Sequence, residues 1–336
     1  GGADYAIRLW SIPNGTLVYK TFFNRDLISA LVWLSDSQTY FATSSDSSVT
    51  QWSVAENTPR QIQTMEWQPE GITLTPDERM LVVSGYGGVI TLVDRASFEV
   101  LHEIATGSIR VGIARVVTRQ MVDEAGNPIN RDFLIAALDE GLIKFFELVV
   151  VGGSVDSLLM SNTLDGHVGS IYDMAISPDA HYALTAGEDG TVRLWDISDP
   201  TVSLPIRVYR AHAASVYSVQ FIDRGQAFLS AGEDTVIYTW RLQEPNSSLL
   251  LGHQAAVLDV AYSVGNNLAL TTAAEKDVIR AILWDVETSS ARGALQTYSY
   301  PDLSADGNAV AVTSSGKGNL PHLQVYDTTT LEVIHD

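Results

Sequence analysis

Short apolar segments that end on an aromatic or valine recur along the chain at nearly even spacing. IRLW ends at Trp10, VTQW at Trp52, ITLV at Val93, KFF at Phe146, VRLW at Trp195, VIYTW at Trp240, AILW at Trp284 and LQVY at Tyr326. Successive ends lie 42, 41, 53, 49, 45, 44 and 42 residues apart. A period of that size marks a repeat architecture, in which each unit cannot bury its apolar face alone and stacks on its neighbours.

Inside a unit the hydrophobic positions alternate with a period of two, which predicts strands. In residues 167–210, Ile171, Met174 and Ile176 mark a first strand that ends at the turn Ser177-Pro178-Asp179. Tyr182 to Ala186 read as a second strand, and Glu188-Asp189-Gly190 as a tight hairpin turn. Thr191 to Trp195 and Ile206 to Tyr209 supply the third and fourth. The unit from His212 repeats this order with Val216–Phe221, Ala227–Ser230, Val236–Trp240 and Ser248–Leu251. No helical period competes with it. The expected fold class is all-β, with four-stranded antiparallel units arranged as radial blades.

These residues resemble the WD-repeat (WD40-type) β-propeller family, best over residues 164–287. The resemblance implies that His, Ser or Thr, Asp and Trp tie a blade together. His167, Thr185, Asp189 and Trp195 match that set, as do His212, Ser230, Asp234 and Trp240. The separation from His to Asp is 22 residues and from Asp to Trp 6 residues in both. His253, Thr271 and Trp284 form a partial set whose turn is lengthened around Glu275-Lys276-Asp277. The Trp52 unit keeps Asp46 but carries Asn24 in the histidine position, and the units of Val93, Phe146 and Tyr326 lack the full polar set. Those three are expected to rest on apolar packing.

Residues 1–22 supply only the outer half of a first blade, and 23–336 supply seven further blades of the same propeller domain. Completion of an eight-bladed ring by upstream residues is the preferred arrangement, because an open ring exposes a sheet edge. A seven-bladed ring capped by residues 1–22 is the alternative. Two stretches break the period: Arg119 to Arg131 is expected to lengthen a loop, and Val149 to Asp156 the connection after it.

Composition narrows the chemistry. The chain of 336 residues has 40 Asp and Glu against 20 Lys and Arg, a formal net charge of −20, and no cysteine. Polyphosphate is repelled by such a chain, so nucleic acid is not an expected partner. Thiolate metal sites and cysteine nucleophiles are excluded. No stretch of sequence has the length and apolarity of a membrane helix. The Gly1-Gly2-Ala3-Asp4 start lacks a signal peptide pattern and leaves the compartment open.

His167, Thr185 and Asp189 have the residue types of a hydrolytic triad. The same constellation one unit later, at His212, Ser230 and Asp234, makes it a repeated structural staple, and no catalytic residue, metal or cofactor is assigned. The expected function is a non-catalytic protein–protein interaction module, a scaffold or a sensing and docking domain of a larger multidomain protein. The alternative is a propeller enzyme with an axial-channel site, which needs polar residues on the innermost strands. Ala30-Leu31-Val32 and Asp173-Met174-Ala175 make those strands look mostly apolar. Tyr172, Glu188, Tyr217 and Glu233, paired on adjacent units, are the candidate partner-binding residues for a protein or peptide with a basic motif.

Overall fold

The computed structural model describes residues 7–11, 16–21, 25–36, 38–54, 59–122, 127–151, 154–202, 204–242, 247–263, 265–275, 278–297, 301–304, 306–315 and 321–335. Strands β1 (Ile7–Ser11) and β2 (Thr16–Thr21) pair as a two-stranded sheet. Seven four-stranded antiparallel sheets follow among the described residues. The first contains β3 (Ile28–Trp33), β4 (Thr39–Ser44), β5 (Ser48–Ser53) and β6 (Arg60–Thr64). The second contains β7 (Pro69–Leu74), β8 (Met80–Gly85), β9 (Val89–Asp94) and β10 (Val100–Ala105). The third has the long strands β11 (Val111–Val122), β12 (Pro128–Leu138), β13 (Leu142–Val151) and β14 (Ser154–Asp165). The fourth is β15 (Ile171–Ile176), β16 (Tyr182–Gly187), β17 (Thr191–Asp196) and β18 (Leu204–Arg210). The fifth is β19 (Val216–Ile222), β20 (Ala227–Gly232), β21 (Ile237–Arg241) and β22 (Ser247–Leu250). The sixth is β23 (Val257–Ser263), β24 (Leu268–Glu275), β25 (Val278–Asp285) and β26 (Ser290–Thr297). The seventh is β27 (Asp302–Leu303), β28 (Ala309–Ser315), β29 (Pro321–Asp327) and β30 (Val333–His335). Within each sheet the strands are neighbours in chain order.

The strands fall into two compact units, one built mainly from Tyr19–Ile171 with Asp196–Leu204, the other mainly from Tyr172–Trp195 and Pro205–Asp336. In the first, β8 shows why a period of two suffices to build a core. Met80 and Val82 join a cluster with Val111, Leu134 and Phe146, whereas Leu81 and Val83 join one with Phe41, Val49 and Ile72. Alternate side chains thus serve neighbouring sheets on both faces of one strand. The second unit repeats the device at β24 and β25. Ala269, Ile282 and Trp284 pack with Leu229 and Val257, and Leu268, Leu270, Ala281 and Leu283 pack with Val310 and Val312.

The described residues of the two period-breaking stretches lie almost wholly in strands. Pairing in β11–β12 continues through Arg119↔Arg131 to Val122↔Pro128, so the extra residues extend a hairpin. Pairing in β13–β14 likewise reaches Val151↔Ser154. The reason is local: Val116, Val117, Phe133 and Leu134 carry β propensity up to the extension, and backbone pairing then propagates. Arg119, buried at the base of the extension, donates from Nε and Nη2 to the Ile197 carbonyl, both at 3.0 Å.

Turn geometry is strained at a few positions. Gly190 takes φ +71 in the Asp189-Gly190 turn, as expected, but Thr235 occupies the matching place at φ +68. Asp223, Arg224 and Gly225 form a single turn of 3-10 type with φ values of 48, 52 and 88, closed by Gln226 N–H on the Asp223 carbonyl. A left-handed conformation costs a residue with a Cβ about 1–2 kcal/mol.

Candidate functional site

The site is built on the fourth and fifth sheets. In the fifth, β20 and β21 bring the predicted set together. Trp240 Nε1–H donates to Ser230 Oγ at 2.9 Å, Ser230 Oγ lies 2.8 Å from His212 Nε2, and His212 Nδ1 lies 2.9 Å from Asp234 Oδ1. This geometry assigns the proton to Nδ1, leaving Nε2 as the acceptor of the serine hydroxyl. Asp234 Oδ2 also accepts from Ala213 N–H, which pins the turn of β20–β21 to the segment entering β19. Burial pushes the His212 pKa down, with Asp234 acting in the opposite direction. The hydroxyl bonds the histidine, accepts from the indole and is buried.

In the sixth sheet His253 Nε2 meets Thr271 Oγ1 at 2.8 Å and Trp284 Nε1–H donates to the same oxygen at 2.7 Å. Among the described residues His253 Nδ1 has no partner. Lys276 and Asp277 of the β24–β25 turn lie outside the described residues. In the fourth sheet Trp195 Nε1–H donates to Thr185 Oγ1 at 2.9 Å, Asp189 Oδ1 accepts from Thr191 N–H and Oγ1–H, and His167 is buried. The first sheet reaches the same end differently. Ala42 stands where the fourth, fifth and sixth sheets have their hydroxyl, and Trp52 donates instead to Thr50 Oγ1 on β5, at 2.8 Å. Asp46 accepts from Arg25 N–H, while Asn24 lies outside the described residues. At the hydroxyl position the second, third and seventh sheets carry Val83, Ala136 and Val312, all buried, in line with the expected apolar packing.

The candidate partner-binding residues stand at one end of these strands. Glu188 and Glu233 are exposed in the β16–β17 and β20–β21 turns. Tyr172 and Tyr217 lie in β15 and β19, with ring centroids 5.2 Å apart and planes at 63°. A register shift between Val216 and Ser218 puts Tyr217 at a bulge, a device that re-aims a side chain out of the ladder. Burial and the nearby Glu233 charge raise the Tyr217 pKa. Two aromatic rings in contact, with carboxylates beside them, form a surface suited to a cation.

The innermost strands are more polar than the sequence reading allowed. Asp173, Ser218 and Asp259 occupy the same position on β15, β19 and β23, and Asp302 lies two residues further along on β27. Asp173 Oδ2 accepts from Val219 N–H at 2.9 Å and from Ser218 Oγ–H at 3.1 Å. The Ser218 hydroxyl is also within reach of Asp259. The signal was present as the third residue of IYDM, VYSV and VLDV, and it is masked when strands are read by average composition. Asp173 and Asp259 thus both meet Ser218, which ties β15, β19 and β23 to one another. Among the described residues no group of three or more His, Asp or Glu is arranged to hold a metal.

Burial raises the Asp259 carboxyl, against the opposing Val260 N–H and Ser218. Asp302 is raised by burial and by the Asp259 charge; its greater exposure to solvent reduces the weight of that burial. A raised pKa means stability that is present below the ordinary value of 3.8 and lost as pH rises through the folded value. Asp259→Asn keeps the acceptor for Val260 N–H, removes the charge and is expected to raise the unfolding midpoint at pH 7. The gain should vanish near about pH 3, where the wild-type carboxyl is protonated too. Scanning calorimetry at the two pH values checks this, and a lower midpoint at neutral pH would contradict it.

The profile of the WD domain, G-beta repeat (WD40), matches residues 159–196 and 203–241, which reach from within β14 to the end of β21. The chain carries WD40 repeats. The chain is also 23% identical over 231 residues to the Striatin homolog of Dictyostelium discoideum, covering 62% of this chain and 27% of that protein. It is 27% identical over 127 residues to Periodic tryptophan protein 2 of Saccharomyces cerevisiae, covering 38% and 12%. Nuclear distribution protein PAC1 of Arthroderma otae is 32% identical over 74 residues, covering 22% and 14%. The chain thus spans about a quarter or less of the length of these relatives. Among solved structures, the computationally designed Ika8 protein superposes with a TM-score of 0.71 at 20% identity, covering 97% of this chain and 92% of that one. That likeness concerns fold alone, and with the sheet topology it supports the bladed all-β class. No helix of the described residues is long and apolar enough to cross a membrane.

Proposed function

We propose that this WD-repeat chain is a non-catalytic protein-interaction module that receives a basic segment of a partner on the edge formed by Tyr172, Tyr217, Glu188 and Glu233. The observation that carries the reading is the Tyr172–Tyr217 contact at 5.2 Å with exposed acids in the flanking turns. WD40 repeats are in general protein-interaction scaffolds, and buried histidine sets in this chain serve packing. Mechanistically, the module binds by preorganisation. The turns that carry Glu188 and Glu233 are fixed by Gly190 in its left-handed conformation and by Asp234 on Ala213 N–H, so little loop entropy remains to be lost. The share of the relatives' length that the chain matches supports its being one domain of a larger scaffold or sensor.

Double reversal of Glu188 and Glu233 to Lys tests the reading against peptides selected from a displayed random library. Affinity for Lys- and Arg-bearing peptides is expected to fall about tenfold, the scale of losing two charge-assisted contacts. The unfolding midpoint should hold, because both side chains are exposed. Unchanged affinity in the double variant rejects this surface.

A further inference from the structure

At the opposite end of the same strands lies a groove of about 640 Å³ with a different character. Its apolar wall is made by Tyr182, Leu194, Ile206 and Leu242, and its cations are Arg224 and Arg241. Ile206 is 48% exposed and stands as an apolar side chain open to solvent. Arg207 borders the groove, donating from Nη1 to the Leu242 carbonyl at 3.1 Å.

The charge here runs against the rest of the molecule. In a chain of net charge −20, three arginines meet two acids at one groove. Both acids have partners. Asp179 accepts from Ser177 Oγ–H at 2.6 Å and from His181 N–H, and Asp223 stands 3.8 Å from Arg241 with both side chains more than half exposed. Arg224 differs. Among the described residues no hydrogen bond or ion pair engages its guanidinium. It is carried on the left-handed Asp223-Arg224-Gly225 turn, a conformation that the local sequence does not favour and that projects this side chain to the groove. Strained backbone of this kind collects at binding positions.

We propose that this groove docks an extended segment of a partner protein in which an Asp or Glu lies beside a bulky aliphatic residue. The carboxylate bridges Arg224 and Arg241, and the aliphatic side chain covers Ile206 and Leu242. The surface goes beyond the basic-segment edge: β16 runs from the groove at Tyr182 to the turn of Glu188, roughly 20 Å away for six residues at strand rise. Two partners of opposite charge can therefore occupy one pair of sheets together.

The test pans a library of random dodecapeptides on the full chain and measures the enriched peptides by fluorescence polarisation. Peptides joining Asp or Glu to Leu, Ile or Val are expected to be enriched. Their affinity should drop about tenfold in R224E/R241E and less in R224Q/R241Q, with further loss as salt rises. E188K/E233K should leave these peptides unaffected, which separates failure here from failure of the basic-segment edge. Both arginines are exposed, and matching thermal midpoints of the variants check folding. The proposal is overturned if no acidic–aliphatic peptides are enriched, or if they bind R224E/R241E as well as the parent. Sedimentation that shows a dimer abolished by R224E/R241E would overturn it too, by assigning the groove to a second copy of the chain.

Discussion

Trp195→Ala is expected to lower the free energy of unfolding by about 3–5 kcal/mol, the range for truncating a fully buried large aromatic. The indole is 1% exposed, so little of that loss is recovered by hydration in the wild-type fold. Two effects add. Apolar contacts vanish, and Thr185 Oγ1 loses the indole N–H at 2.9 Å. Trp195→Phe separates them, since it keeps most of the ring volume and removes the donor. That variant should lose about 1–2 kcal/mol, the scale of one buried hydrogen bond left unmade. Urea unfolding followed by far-ultraviolet circular dichroism reads both. Equal losses in the two variants would show that the indole serves the fold through its hydrogen bond and not through packing.

Acid should weaken the module through His253. Burial holds its pKa at about 4 against the ordinary 6.5, with Glu275 opposing and Arg280 assisting. The folded state thus prefers the neutral ring, so the stability tied to it is complete above pH 6.5 and is lost as pH falls toward 4. A difference of about 2.5 units corresponds to roughly 3 kcal/mol at the acid end of that window. Among the described residues nothing accepts from Nδ1, so protonation would bury a charge with one N–H unsatisfied. His253→Gln offers Thr271 a polar group without titrating. Denaturant midpoints measured from pH 7.5 to 4.5 should show the wild type's advantage over this variant shrinking steadily, and parallel profiles would remove His253 from the account.

The bladed fold was legible because its signals are periodic. Trp195, Trp240 and Trp284 end third strands, hydroxyls at Thr185, Ser230 and Thr271 receive their indoles, and β16 and β17 fall within a residue of the expected bounds. Where the reading failed, the physics is cooperative. Nothing in Arg119 to Arg131 alternates strongly, yet pairing propagates along two strands already held in register. The acids at Asp259 and Asp302 are single positions in apolar strands, and their effect on each other arises only when neighbouring sheets bring them together. The arginine groove draws its lining from six separate turns and strands, and no spacing in the chain announces it.

The displaced bond of Trp52 shows how such a chain drifts. With Ala42 in place of the hydroxyl, Thr50 on the adjoining strand satisfies the indole, so the ring remains 1% exposed and its donor is not orphaned. A demand that either of two strands can meet leaves each of them free to mutate in turn. Residue identities then fade faster than geometry, which is why a profile recognises two repeats where the described residues hold seven four-stranded sheets. Tallies of such domains made from motifs alone will therefore run low, most of all in chains old enough for the ties to have changed hands.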